Sequence, residues 1–324
     1  MAAAASGLLI VFTLAADVPP ETLQLAPECE IRFATADQGR QILTADDTFT
    51  AQLSRFDLQC RLKTAKEVTL ADWKEFVAKH VLDWQPSEIT IISSSVERLK
   101  KRLAGFRLPL PPIIQIVRTT GDEESNAAYT RDNAIALNTQ VNSYDAVQLD
   151  RLLLHELFHI ISRHDGAIRA KLYAIIGFEL CDPIELPTSL APRRITNPDA
   201  PRIDCTVTLT AKSGKKVTGA PVLYAATKQY DAKKGATIFQ SLLFRLLVVE
   251  QRGDRWQPVL LKGEPVVINP REEQEFLDRV GKNTNYIIHP DEILADNFVR
   301  LVMNDENIPS PQITDQMRRV LTPR

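Results

Sequence analysis

The stretch LDRLLLHELFHIISRH, residues 149–164, constrains this chain more than any other. Its apolar periodicity predicts a buried helix. Yet the helix carries two imidazoles and a carboxylate, in the order His155-Glu156-Leu157-Phe158-His159. Residues four apart on a helix share a face, so His155 and His159 can aim at one point. Buried polar groups are costly unless paired, and an ion held by both rings would pair them. Zinc suits nitrogen and oxygen donors and keeps one position open for water or substrate. Glu156 projects at the rim of the same face, where it can act as general base toward a water polarised by the ion. The helix is expected to start near Ser143 or Asp145 and to run to about His164, with Gly166 at its end. The plainer reading is a helix with two hydrogen-bonded histidines; the H-E-x-x-H spacing favours the metal.

Two histidines leave a third ligand to find. Asp165, just past the helix, has the spacing used by metzincin peptidases. It needs a sharp return of the chain at Ser162, where glycine would suit better. The stronger candidate lies in NYIIHPDEILADNFVRLV. Pro290 fits the first helical position, which puts Glu292 in the first turn and Asp296 one turn later on the same face. Glu292 can complete a set of two histidines and one carboxylate. Asp296 can accept the other N–H of a ligand histidine and fix its tautomer. Acidic residues also favour helix starts for ordinary dipole reasons. Hydrolysis further needs a donor for the developing oxyanion, for which Tyr286, His289 and Tyr173 are candidates. His164 is expected to cap helix carbonyls, His80 to pack, and Arg131, Glu123 and Glu124 to lie on a solvated surface.

Charge excludes some partners. With 39 basic and 41 acidic residues, the formal charge of −2 leaves no basic footprint for nucleic acid or anionic lipid. Residues 2–16 are apolar or small and uncharged. They match the apolar part of a secretory signal, with Leu14-Ala15-Ala16 as a cleavage region, although no Lys or Arg precedes them. They are too short to span a membrane. The expected location is secreted or periplasmic, with the cytoplasm as the alternative. Cys29, Cys60, Cys181 and Cys205 form no C-x-x-C pair. In an exported chain Cys181 and Cys205, which flank a proline-rich loop, are the expected disulfide, with four buried thiols as the alternative. Cys29 or Cys60 could also hold a latent form by blocking zinc with a thiolate.

The chain divides into a leader (1–16), an N-terminal segment (17–66), a core with the motif helix (67–200), a β-rich insertion (201–269) and C-terminal helices (270–324). ECEIRFA and DLQCRLK look like strands. Helices are expected from Thr69 through TLADWKEFVAKHVLDW and in PSEITIISSSVERLKKRL. Strands are expected at 113–118 and 134–137, and again in TVTLTA, KVTGAPVLYAAT and SLLFRLLVVEQ.

H-E-x-x-H on one helix with E-x-x-x-D on a later one resembles the gluzincin metallopeptidases, the thermolysin-like branch of the zincins. The chain also resembles uncharacterised bacterial zincin-like proteins with similar RITNPDAP and HPDEILADN segments. The resemblance implies an α+β fold with a zincin-like core of small mixed sheet and two motif helices, interrupted here by the β-rich insertion. It implies one zinc ion held by His155, His159 and Glu292, with Glu156 as base and Asp296 behind a ligand histidine. It also implies an edge strand near TRDNAIALN that pairs with an extended peptide or protein substrate. Far more chain than usual separates His159 from Glu292. Two other functions compatible with the motif are a zincin-like scaffold that binds without cutting, and zinc hydrolysis of a non-peptide amide or ester.

Overall fold

The computed structural model describes residues 22–211 and 214–322, so the leader at 1–16 lies outside the described residues. Among the described residues the fold is α+β, with two six-stranded sheets, one two-stranded sheet and helices packed around them. The first sheet contains β1 (Thr22–Ala26), β2 (Cys29–Phe33), β3 (Val81–Leu82), β4 (Ile113–Thr119), β5 (Tyr129–Arg131) and β6 (Ala134–Asn138). Its order is β1-β2-β4-β6-β5, with β3 paired to the end of β4. The β2, β4 and β6 strands are parallel; β1 and β5 run antiparallel to their neighbours. The edges of this order are β1 and β5; the TRDNAIALN stretch expected at the edge ends β5 with Thr130 and Arg131 and then forms β6, one strand further in.

The alternation of β6 separates two layers, since successive side chains leave opposite faces. Ile135 and Leu137 enter the main core, while Ala134 and Ala136 enter a smaller one. The smaller core is covered by helices α1 (Ala36–Leu43), α2 (Arg55–Arg61) and α3 (Leu70–His80). On α1, a Cβ at Gly39 would lie 2.7 Å from Val117 Cγ1 and 2.8 Å from Val81 Cγ1, so glycine lets the helix sit close on the sheet. The DLQCRLK segment is α2, not a strand. Ser54 and Asp57 form a reciprocal cap at its start, and this local chemistry overrides the alternating pattern. Helix α3 begins at the expected Thr69 cap but stops at His80, because Val81 pairs with Thr119 in the sheet.

The other face is covered by α4 (Pro86–Leu103) and α5 (Ala146–His164). Asp145 caps α5 in a box with Gln148, as its sequence predicts. Next come α6 (Gly166–Ile175), α7 (Ile238–Ser241), α8 (Gln274–Val280), α9 (Pro290–Met303) and α10 (Pro311–Leu321). Leu154, Phe158 and Ile161 of α5 share one core with Leu294 and Phe298 of α9. This packing brings the two motif helices together. Among the described residues, no helix is long and apolar enough to cross a membrane.

The second sheet is antiparallel and starts earlier than expected. It comprises β7 (Phe178–Leu180), β8 (Cys205–Thr210), β9 (Lys216–Ala225), β10 (Leu242–Arg252) and β11 (Arg255–Pro258), in the order β11-β10-β9-β8-β7. A short hairpin of β12 (Leu260–Leu261) and β13 (Glu264–Pro265) precedes β14 (Val267–Ile268), which pairs with β10. Val207, Phe244 and Leu246 join the main core, so the insertion packs against the rest of the chain. Cys181 and Cys205 are free thiols, not a disulfide. Cys205 lies opposite Leu180 in the β7–β8 ladder, so Cys181, one residue on, projects from the other face. Cys29 and Cys60 are free and buried in the core.

Candidate metal centre

His155 and His159 leave α5 on the face that meets the start of α9. Pro290 opens α9 with its fixed φ, and His289 caps it by accepting from the Asp291 N–H at 3.2 Å. Glu292 follows in the first turn, 2% exposed. Its Oε2 lies 3.1 Å from His155 Nε2 and 3.6 Å from His159 Nε2. With bonds of about 2.1 Å, tetrahedral ligand atoms are spaced about 3.4 Å apart. The two observed spacings bracket that value. The three donor atoms lie within 4.8 Å of one another. His159 Nε2 is buried without a hydrogen-bond partner, and so is Glu156 Oε2. Two orphaned polar atoms beside a compact His-His-Glu set fit a bound cation, since native interiors rarely leave such groups unmatched.

Each imidazole is held from behind by its own carboxylate. Asp296 Oδ1 is 3.1 Å from His155 Nδ1, and Thr284 Oγ1 donates to the other Asp296 oxygen. Asp291 Oδ2 is 2.7 Å from His159 Nδ1. Ser162 Oγ (2.5 Å) and the Tyr173 hydroxyl (2.9 Å) donate to Asp291 Oδ1. The arrangement leaves both Nε2 atoms to face the Glu292 side. Sequence reasoning missed Asp291, treating it only as part of an acidic helix start. A signal existed: Ser162 lies three residues after His159, on the same helical face.

The proline-rich loop supplies two more residues that the sequence did not reveal. Asn197 Nδ2 donates to Glu292 Oε1 at 2.6 Å. Asp199 places a carboxylate oxygen within 4.8 Å of ligand atoms on Glu156 and His159, forming a second group able to hold a cation. Both come from irregular chain whose position depends on distant partners.

The electrostatics follow this crowding. Burial alone would lower the His159 pKa, but the carboxylates of Asp199, Glu292 and Asp291 hold it up at about 9. Burial also opposes the His155 charge, and Asp296 and Glu292 override it, so that pKa stands well above the usual value. Burial, then Asp199, pushes the Glu156 pKa up, while the two imidazoles pull it down. Without an ion the imidazoles therefore hold protons facing carboxylates, and a metal would displace those protons.

The remaining candidates are placed as follows. Tyr286, 37% exposed, lines a cavity of about 730 Å³ shared with His155, Glu156 and Glu292. Tyr173 is fully buried and turned toward Asp291. His289 is buried at the helix cap, and burial lowers its pKa to about 4. Neither of these two lines the cavity. Asp165 caps α6, accepting from the Ala167 and Ile168 N–H groups at 2.9 Å, and is not grouped with the histidines. Arg131 and Glu124 are buried in ion pairs rather than solvated, and Glu123 is buried beside Tyr129 without an ion-pair partner among the described residues. No family model, curated protein or solved structure matches the chain significantly.

Proposed function

We propose that this protein is a zinc-dependent peptidase with a zincin-like core formed by the first sheet, α5 and α9. One observation carries the reading: the orphaned Glu156 Oε2 belongs to the cavity wall with His155 and Glu292, and the orphaned, buried His159 Nε2 is grouped with those same two ligand residues. His155, His159 and Glu292 would hold the ion. When bound, zinc supplies Lewis acidity, which polarises a carbonyl and acidifies water. Glu156 takes the water's proton on its carboxylate. The same carboxyl then passes the proton to the departing amine. Tyr286, which lines the cavity with Glu156 and Glu292, takes the role of donor to the developing oxyanion in this reading. Asp291 and Asp296 keep the two rings oriented. Leu223, Ile238, Phe239 and Leu242 give the cavity an apolar wall from the second sheet and its α7 connection, suited to substrate side chains. With the apolar leader, the place of action is outside the cytoplasm.

The test is a diverse peptide mixture incubated with the zinc-loaded protein and with Glu156→Gln, products being read by mass spectrometry. Cuts made by the wild type alone are expected. Absence of cuts, with zinc measured in both proteins, overturns the reading.

A further inference from the structure

The edge of the first sheet does not stay open along its length. Ala127, Ala128 and Tyr129, at the start of β5, line the cavity beside Glu156. An exposed sheet edge next to a cavity is where an extended peptide adds as a further strand. One residue on, the edge is taken. The Thr130 N–H donates to Asp199 Oδ1 at 2.6 Å and the Thr130 hydroxyl to the same oxygen at 2.7 Å. Arg163 then ties the strands together, donating to Asp132 O, Thr130 Oγ1 and Asp199 O.

The strap carrying Asp199 is built to stay. Thr196 donates from its N–H and its hydroxyl to Asp57, at 3.0 and 2.8 Å. Arg61, buried between Asp57 and Glu124, donates to Thr196 O at 3.1 Å. Asn197 fastens the next residue to Glu292, and its Oδ1 accepts from the Asp199 N–H. This is a fixed wall across the edge.

The wall has a charge. Among the described ion pairs none includes the Asp199 carboxylate; Arg163 reaches its backbone carbonyl, and, against burial, His159 and Arg163 favour its charged form at longer range. Beside it stand the unpartnered Glu156 Oε2 and His159 Nε2, on residues 3% and 1% exposed. A carboxylate at the closed end of a peptide cleft repels a chain's C-terminus and attracts an ammonium. The spacing limits what fits. An α-amino nitrogen lies about 2.5 Å from the carbonyl carbon of its own residue. Asp199 places a carboxylate oxygen no more than 4.8 Å from the Glu156 and His159 ligand atoms, so an ammonium held by it sits within one residue of the reacting carbon.

We propose, on the basis of the peptidase reading, that the site acts on free N-termini, with Asp199 as the anchor for the α-ammonium. Hydrolysis then breaks the bond after the first residue. Water's hydroxyl joins that residue's carbonyl carbon, its proton goes to the departing nitrogen, and one free amino acid leaves. The rest of the substrate runs along the open start of β5 toward the apolar wall.

The test compares Leu-Ala-Ala-Ala-amide with its N-acetylated form. Binding is measured by calorimetry on zinc-loaded Glu156→Gln, and cleavage on the wild type. Acetylation is expected to weaken binding roughly 10- to 100-fold, the range for losing a charged hydrogen bond. Adding Asp199→Asn, which keeps an oxygen for Thr130, should erase most of that difference, and the wild-type product should be free leucine. Equal binding and internal cutting of the acetylated peptide would overturn the N-terminal anchor and leave the peptidase reading standing. If neither peptide binds or is cut, both fall. The acetylation comparison with Asp199 intact decides the matter even if the variant does not fold.

Discussion

Asp291 Oδ2 stands 2.7 Å from His159 Nδ1, and this contact gives His159 a carboxylate behind its ring just as Asp296 does for His155. The His159 ring cannot turn without losing a partner that Ser162 and Tyr173 also hold. Such outer partners typically contribute 10- to 100-fold in metal affinity. Asp291→Asn should therefore weaken zinc binding by roughly that factor. A competition titration against a chromophoric chelator measures it, with Asp296→Asn in parallel. Unchanged affinity in Asp291→Asn would show that the contact does not orient the ring for a metal.

The third ligand is tested by two substitutions. Glu292→Ala removes an oxygen at tetrahedral spacing from both imidazoles and should abolish tight zinc binding. Asp165→Ala removes only a helix cap. It should leave zinc affinity intact and cost about 1 kcal/mol of stability. The reverse pattern would restore Asp165 as the ligand.

The two motif helices were legible because their determinants are local. Asp145, the apolar period of residues 149–161 and Pro290 each act within a few residues, and they set where α5 and α9 begin. Glu292, far from His159 in sequence, was reached because Pro290 places it in the first turn of α9. Asn197 and Asp199 were not legible for the opposite reason. Apart from the short turn that Asn197 makes with the Asp199 N–H, their position is set by Asp57, Arg61 and Arg163, from distant elements. DLQCRLK was misread because alternation in a short segment is weaker than the Ser54–Asp57 cap that starts α2.

The strap also has an energetic anchor. Asp57 and Arg61 are side chains with 0% exposure, joined at 2.7 Å. Asp57 also accepts from Ser54 and Thr196. Removing Asp57 leaves Arg61 paired with Glu124 and strands the Ser54 and Thr196 donors, which costs about 1–3 kcal/mol. Asp57→Ala should lose that much in urea unfolding and also release the strap. The check is limited proteolysis near Thr196: cutting should appear in Asp57→Ala and be absent in the wild type. A variant as stable and as protected as the wild type would show that the network does not hold the loop.

Glu123 gives the chain a pH dependence away from the metal centre. It is 2% exposed, and burial raises its carboxyl pKa from 4.5 to about 7. Its Oε2 has no hydrogen-bond partner, and Tyr129 approaches its other oxygen only at 3.5 Å. The folded state thus holds a proton that the unfolded state releases near pH 4.5. Stability from the protonated form is fully present below that pH and is lost as pH rises to about 7. A shift of this size corresponds to about 3 kcal/mol at most. Glu123→Gln keeps the shape and carries no charge. Relative to the wild type it should gain up to about 3 kcal/mol between pH 4 and pH 8. Urea unfolding of both proteins across that range is the measurement. A difference that stays constant with pH would mean Glu123 ionises freely in the folded chain.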